Sequence, residues 1–396
     1  MMNEMWLYAI EISIGTPPQT TYVSVDTGSS ELWVNANCST APADFGQRDM
    51  CIRVPRYETN KSTTAQGPFG SARLTYGSLG ETVTGADVDY YKDEVSINGV
   101  NVSSQQFGVA TASLGLPVGI MGLAPDLKRG FALNESYPLL LDTLARDGII
   151  NSRAYSVNTA RRTDDSGSLI LGGVDKGKFE GTLLKLPIVR SHDGVVRLTV
   201  DLTSVGMTLP NTNITKTYSL GNDTNVVIDT GNTFSKLHPE VVSQVYSGLG
   251  ATFNETLGYP LVDCNITEAK GGFLLNFGNK TITVPLSDFI LAADELCAVG
   301  LLPIEQAGQQ VLGDTFLRAA YAVVDWDNEN IHLAQAANCG SDVIAIGSGV
   351  DAVPSVTGNC ATMTPPTSLV DSLGSRTPLS FAALAVVAVG VASAFC

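Results

Sequence analysis

Basic residues are scarce in this chain. Lys and Arg total 23 against 39 Asp and Glu among 396 residues, a formal net charge of −16. That balance argues against a nucleic-acid partner, which needs a basic face. Histidine is scarcer still, only His192, His238 and His332, and none of the seven cysteines forms a Cys-x-x-Cys pair. No metal and no other cofactor is expected from such a set. No Gly-x-Ser-x-Gly, His-Glu-x-x-His or Walker loop occurs, which removes the common hydrolase and nucleotide-binding signatures. Charged residues reach only 16% against 44% apolar. This argues against disorder across the body and leaves material for a sizeable core. The acid excess suits work at acid pH, where part of the self-repulsion is titrated away.

The two ends also lack things. The start, MMNEMWLYAIEIS, has neither a basic n-region nor an apolar h-region, so no signal peptide is visible and the N-terminus is read as truncated. Leu379–Phe395 is a run of 17 mostly apolar and small residues with only Cys396 after it. It is short for a span and no basic stop-transfer residues follow. A removable GPI-attachment signal fits residues 379–396 better than a tail-anchor helix.

What is present is mainly β. Short runs such as "YAIEISIG", "TYVSVDTG", "SLILGG", "TITVPL" and "YAVVDWD" are broken by Gly, Asn, Asp and Pro. Helical patterns are few, near 137–148 and 238–250. Nine Asn-x-Ser/Thr sequons (Asn37, Asn60, Asn101, Asn134, Asn213, Asn222, Asn254, Asn265, Asn279) and six body cysteines favour a secreted, glycosylated protein. In residues 353–378, thirteen of 26 are Ser, Thr or Pro, as in an O-glycosylated stalk.

One pattern occurs twice. "YVSVDTGSS" (22–30) and "NVVIDTGNT" (225–233) are apolar strands that end in Asp-Thr-Gly. Each is answered downstream by an apolar pair and Gly, Ile120-Met121-Gly122 and Val311-Leu312-Gly313, 96 and 84 residues after its Asp. A lone Asp-Thr-Gly is ordinarily a turn. Two copies in the same order indicate a duplicated lobe. If the lobes pack about a pseudo-twofold axis, Asp26 and Asp229 meet on it. Neighbouring carboxylates cannot both ionise, so they share one proton. One is then a base and the other an acid, able to activate a water for attack on a peptide carbonyl without metal or covalent intermediate.

With these motifs the chain resembles the pepsin-like aspartic peptidases, the family of pepsins, cathepsin D and the yeast yapsins, over about residues 6–336. The matching stretches are "IGTPPQ" (14–19), "VDTGSSELWV" (25–34), "TYG" (75–77), "GIMGLA" (119–124), "IDTGNT" (228–233) and "VLGDTFLRAAYAVVD" (311–325). The tail points to the surface-anchored, yapsin-like fungal branch. The resemblance implies a bilobal double β-barrel with a cleft between the lobes. It implies Asp26 and Asp229 as the catalytic pair, and Thr27 and Thr230 as hydroxyls that reach across to the opposite lobe. Gly28 and Gly231 would let backbone amides approach, and Ser29 would donate to Asp26. Tyr76 and Gly77 match the flap, and Trp33 matches its tryptophan partner. Alone, Trp33 and Tyr76 would be ordinary packing. Thr233 is counted with the substrate-binding residues.

Two positions depart from the family pattern. Asn232 stands where Ser or Thr is usual, and its amide can still donate to Asp229. Ser78-Leu79-Gly80 alters the flap tip. The resemblance also implies bridges Cys38–Cys51 and Cys264–Cys297, with Cys339 and Cys360 left over and their pairing open. The expected organisation is an N-terminal lobe to residue 177, a C-terminal lobe 178–336, a stalk 337–378 and the signal 379–396. The expected function is acid endopeptidase action on a peptide or protein substrate, by a monomer held at the cell surface by a lipid anchor. The alternative is a non-catalytic peptide-binding or inhibitor-binding protein on the same fold, though such relatives usually lose one Asp.

Overall fold

A computed structural model describes residues 7–42, 47–77, 84–125, 136–162, 166–190, 196–221, 223–293, 296–305, 308–361 and the backbone of 387–392. Mainly β, it builds two lobes on a shared sheet. In the N-terminal lobe seven strands pair in the order Ala9–Ile14, Gln19–Asp26, Gly119–Gly122, Leu32–Val34, Val100–Leu114, Thr84–Ile97 and Ser71–Tyr76. Ser13 and Ile14 pair again with Ser96 and Val95, which curls this sheet back on itself. Alternation explains the strands. In Ala9–Ile14 the residues Ile10, Ile12 and Ile14 point inward and are buried, while Glu11 is exposed.

The duplicated motif is a repeated pairing. Val25 and Asp26 lie parallel to Met121 and Gly122, and Val227 and Ile228 lie parallel to Val311 and Leu312. In each lobe the downstream apolar pair also pairs antiparallel with the strand that follows the Asp-Thr-Gly, Leu32 with Met121 and Lys236 with Val311. The returning strand is therefore buried between two neighbours, which is why it is apolar throughout. Gly122 and Gly313 end it because there is no room for a side chain. A Cβ at Gly122 would lie 2.4 Å from the Ser30 carbonyl carbon, and one at Gly313 would lie 2.3 Å from the Asn232 oxygen.

The sheet beneath both lobes has the order Phe179–Pro187, Asn330–Ala336, Ala320–Asp325, Ala154–Asn158, Ser166–Leu171 and Val387–Ala392. The expected lobe boundary at 177/178 falls inside this sheet, since strands on either side of it share one hydrogen-bonded layer. Part of the expected stalk needs correction. Residues 337–361 are a folded strap rather than a solvated stalk. Val343–Ala345 pairs with Gly173–Asp175, and Ile346, Ala352 and Val353 are buried with Phe179 and Tyr321. The Ser, Thr and Pro excess lies mostly beyond residue 361, and the strap itself buries Ile346, Ala352 and Val353 on a neighbouring sheet. Residues 362–378 lie outside the described residues. Among the described residues there are three disulfides, Cys38–Cys51, Cys264–Cys297 and Cys339–Cys360, and the last clasps the strap.

Candidate active site

Asp26 closes the strand Gln19–Asp26, and Asp229 directly follows Asn225–Ile228. Both therefore sit where a buried strand opens into a tight turn. The turn's own amide satisfies one oxygen: Gly28 N–H donates to Asp26 Oδ1 and Gly231 N–H to Asp229 Oδ1, each at 2.8 Å. The other oxygen takes a side chain three residues on. Ser29 Oγ donates to Asp26 Oδ2, and Asn232 Nδ2 donates to Asp229 Oδ2 at 2.6 Å. The Asn232 amide thus takes the bonding position that Ser29 takes in the other lobe.

The two carboxyls meet across the lobes. A Cβ built on Gly231 would lie 2.8 Å from Asp26 Oδ1 and 3.1 Å from Asp229 Oδ1, and one on Gly28 would lie 2.5 Å from Asp229 Oδ2. Only glycine fits at either turn, because the opposite lobe's carboxylate occupies the space a side chain would take. Asp26 is buried, at 5% exposure. Burial first, and then the charge of Asp229, push its pKa up from 3.8 to about 7.

Thr27 and Thr230 brace the pair. Each backbone N–H donates to the other's hydroxyl at 3.1 Å, while Thr27 Oγ1 donates to the Ile228 carbonyl and Thr230 Oγ1 to the Val25 carbonyl. Four hydrogen bonds thus cross the lobe boundary among buried groups, where such bonds are stiff and their loss is costly. Thr230→Val keeps the shape but strands the Thr27 N–H and the Val25 carbonyl. It is expected to cost about 1–3 kcal/mol of stability, read by urea denaturation.

Over the pair, Trp33 Nε1 donates to the Tyr76 hydroxyl at 2.7 Å, with ring centroids 6.5 Å apart. Burial, then the Asp26 charge, hold the Tyr76 phenol well above its ordinary pKa, so it stays protonated. Gly77 follows in a left-handed conformation, φ +104°. Ser78-Leu79-Gly80, with its altered tip, lies outside the described residues. Thr233 lies one residue beyond Asn232, where its carbonyl accepts from Thr315 N–H at 3.2 Å.

Sequence reasoning missed two buried charged groups. Glu31, 3% exposed, accepts hydrogen bonds from the Tyr90 and Tyr137 hydroxyls behind Trp33 and Tyr76. It follows Asp-Thr-Gly-Ser-Ser directly, but its partners are 59 and 106 residues away and no local pattern names them. The second group is Asp314 with Arg318, joined across the lobes by the Tyr8 hydroxyl. Their spacing of four was the only available signal.

Taken together, the repeated parallel pairings and the facing aspartates define the bilobal pepsin-like class. Residues 7–336 match the family profile "Eukaryotic aspartyl protease", and the chain belongs to that family. It is 30% identical over 388 residues to the probable aspartic-type endopeptidase opsB of Aspergillus oryzae, covering 94% of this chain and 77% of that one. Candidapepsin of Candida tropicalis is 33% identical (87% and 83% covered), and yapsin-3 of Saccharomyces cerevisiae 31% (85% and 67%). Among solved structures, the aspartic proteinase from Irpex lacteus superposes with a TM-score of 0.67 at 20% identity, covering 85% of this chain and 96% of that one. That last likeness concerns the fold.

Proposed function

We propose that this chain hydrolyses peptide bonds at acid pH with Asp26 and Asp229 as its catalytic pair. The observation that carries the reading is the meeting of two carboxyls, one from each lobe, close enough to share a single proton. The ionised carboxyl takes a proton from a water molecule as the water oxygen bonds to the peptide carbonyl carbon. The protonated carboxyl gives its proton to the carbonyl oxygen, which leaves a neutral gem-diol. As the C–N bond breaks, the departing nitrogen takes up a proton and one diol hydroxyl returns its proton to the pair. Tyr76 and Trp33 serve as the wall that covers an extended peptide, held chiefly through its backbone.

The pH dependence has a definite sign. Below about 7, Asp26 keeps its proton and the pair is competent. Activity is expected to fall as pH rises through that value, read as kcat/KM on a fluorogenic peptide. A statine-type inhibitor, which mimics the hydrated carbonyl, is expected to block it. Activity that persists unchanged to pH 9 would sink the reading. Folding follows the same proton. Between 3.8 and about 7 the folded protein holds a proton that the unfolded chain releases, so stability falls as pH rises across that window.

The proposal extends to location. Asn60, Asn101, Asn213, Asn265 and Asn279 are exposed sequons, while Asn37 and Asn254 are half-buried. Three disulfides suit an oxidising compartment. The protein is read as a secreted, glycosylated monomer, anchored at the cell surface by a lipid that replaces residues 379–396, an exchange that would remove the edge strand Val387–Ala392 from the shared sheet.

A further inference from the structure

We propose that the strap 337–361 is a mount. It brings the chain out of the body on the side of the shared sheet away from the catalytic pair, so the cleft opens away from the lipid surface and takes peptide segments that stand clear of it. The inference rests on the proposed catalytic pair and the proposed lipid anchor. Period-two alternation gives the shared sheet two faces. Tyr155, Val157, Val324 and Leu333 point into the core that also holds Val25 and Ile228, the residues just before the two aspartates. Burial first, and then the charges of Asp26 and Asp229, raise the Tyr155 phenol, which places it beneath the pair. Ala154, Tyr321, Val323 and Ala334 point the other way, into a separate cluster that the strap covers with Ile346, Ala352 and Val353. From the cleft outward the order is catalytic pair, core, sheet, strap.

Both ends of the strap are fixed at one place. Ala337 and Cys339 N–H donate to the Lys178 and Gly177 carbonyls, each at 3.0 Å, while Gly358 and Asn359 N–H donate to the Gly181 and Lys176 carbonyls at 2.7 and 2.8 Å. Asp342 ties the two ends together, since it pairs with Lys176 Nζ at 2.8 Å and accepts from Asn359 Nδ2 at 2.7 Å. The Cys339–Cys360 bridge closes the loop across a separation of 21 residues. A pull on Ala361 therefore passes through the disulfide to Cys339 and on to Ala336, the last residue of an inner strand of the shared sheet, and bypasses the residues between. Tether length then decides the orientation. Residues 362–378 number 17 and reach at most about 55–60 Å when fully extended. A body of about 360 residues is about 50 Å across, so the path from one side round to the other is about 80 Å. A tether that leaves on the strap's side is too short to lay the cleft against the surface.

The test uses the full chain on intact cells at acid pH. Two membrane-anchored reporters carry the same cleavable peptide, one about five residues above the bilayer and one on a folded spacer about 50 Å tall. The high reporter is expected to be cut at least about tenfold faster, because effective concentration falls toward zero where a tether cannot span the sites. In detergent the two should be cut alike. A Gly/Ser linker of about 40 residues inserted after Ala361 adds up to about 130–140 Å of reach and is expected to open the low reporter. The same linker inserted after Gly349, in an exposed turn inside the disulfide loop, should leave the low reporter closed. Hydrolysis of a soluble peptide, expected equal in all three proteins, shows that each is folded. Equal cutting of both reporters by the wild type on cells would overturn the proposal. So would a low reporter that stays closed to the Ala361 insertion, or one that opens to the insertion in the strap. A wild type that cuts no soluble peptide overturns the catalytic reading instead, and one found in the medium rather than on cells overturns the anchor. An active, cell-bound enzyme that cuts both reporters alike overturns only the mount.

Discussion

Asp26→Asn is expected to fold, bind peptide and lose about 10²–10⁴-fold in kcat/KM, the range a positioned acid–base group supplies. The amide keeps the carboxyl's shape, and its oxygen can still accept from Gly28 N–H, so the turn survives. What disappears, under the proposed mechanism, is the shared proton. A neutral amide has no acid proton to give to the carbonyl oxygen. Stability should move the other way. Asp26 is a buried carboxyl whose pKa burial and the Asp229 charge push up to about 7. Above that value the wild type must ionise it beside a second carboxylate, and the variant need not. Melting temperatures at pH 5 and pH 8 should therefore show the variant gaining on the wild type as pH rises. Wild-type turnover in the variant would remove Asp26 from the mechanism, and lost activity with a collapsed melting curve at both pH values would show a folding defect instead.

The second large effect is structural. Arg318 Nη2 lies 2.6 Å from Asp314 Oδ2, and both side chains are almost fully buried, at 2% and 3% exposure. The Tyr8 hydroxyl completes the cluster at Asp314 Oδ1, which ties the segment before the first strand to the C-terminal lobe. Burial works against the Asp314 charge, and the Arg318 guanidinium offsets it. Arg318→Met leaves that carboxylate in a low-dielectric interior without its cation. A loss of about 3–5 kcal/mol in unfolding free energy is expected, measured by urea denaturation. The deficit should shrink as pH falls, because protonation of Asp314 removes the stranded charge. Arg318→Met with Asp314→Leu should recover part of it, since an apolar pair no longer has an ion to desolvate. A single variant as stable as wild type at neutral pH would show that the pair holds nothing together.

These effects divide along a line between local and non-local information. The strands that carry the aspartates were legible because their instructions are local. Val226-Val227-Ile228 is apolar enough to be buried on both faces, and Asp-Thr-Gly after it makes a turn from its own side chain and amides. The repeat in Ile120-Met121-Gly122 and Val311-Leu312-Gly313 was legible because duplication writes the same physics twice. Other features could not be read from neighbours in the chain. Glu31 meets Tyr90 and Tyr137, and Tyr8 meets Asp314, only after the barrels close. No local pattern in the strap 337–361 names its partners, yet Ile346 and Val353 are buried with Phe179 and Tyr321.

The amino-acid sequence by itself determined the mainly β class, the duplicated lobes and the two acids, because those depend on periodicity, turn chemistry and a motif written twice, while the residues that brace the acids came only with the family resemblance. Tertiary structure alone decided that the lobes share one sheet across residue 177, that Cys339 pairs with Cys360, and that two carboxyls face each other closely enough to raise Asp26 to about 7. The pKa of Asp26 depends on which groups exclude water around it, and Asp229 reaches it from a strand far along the chain.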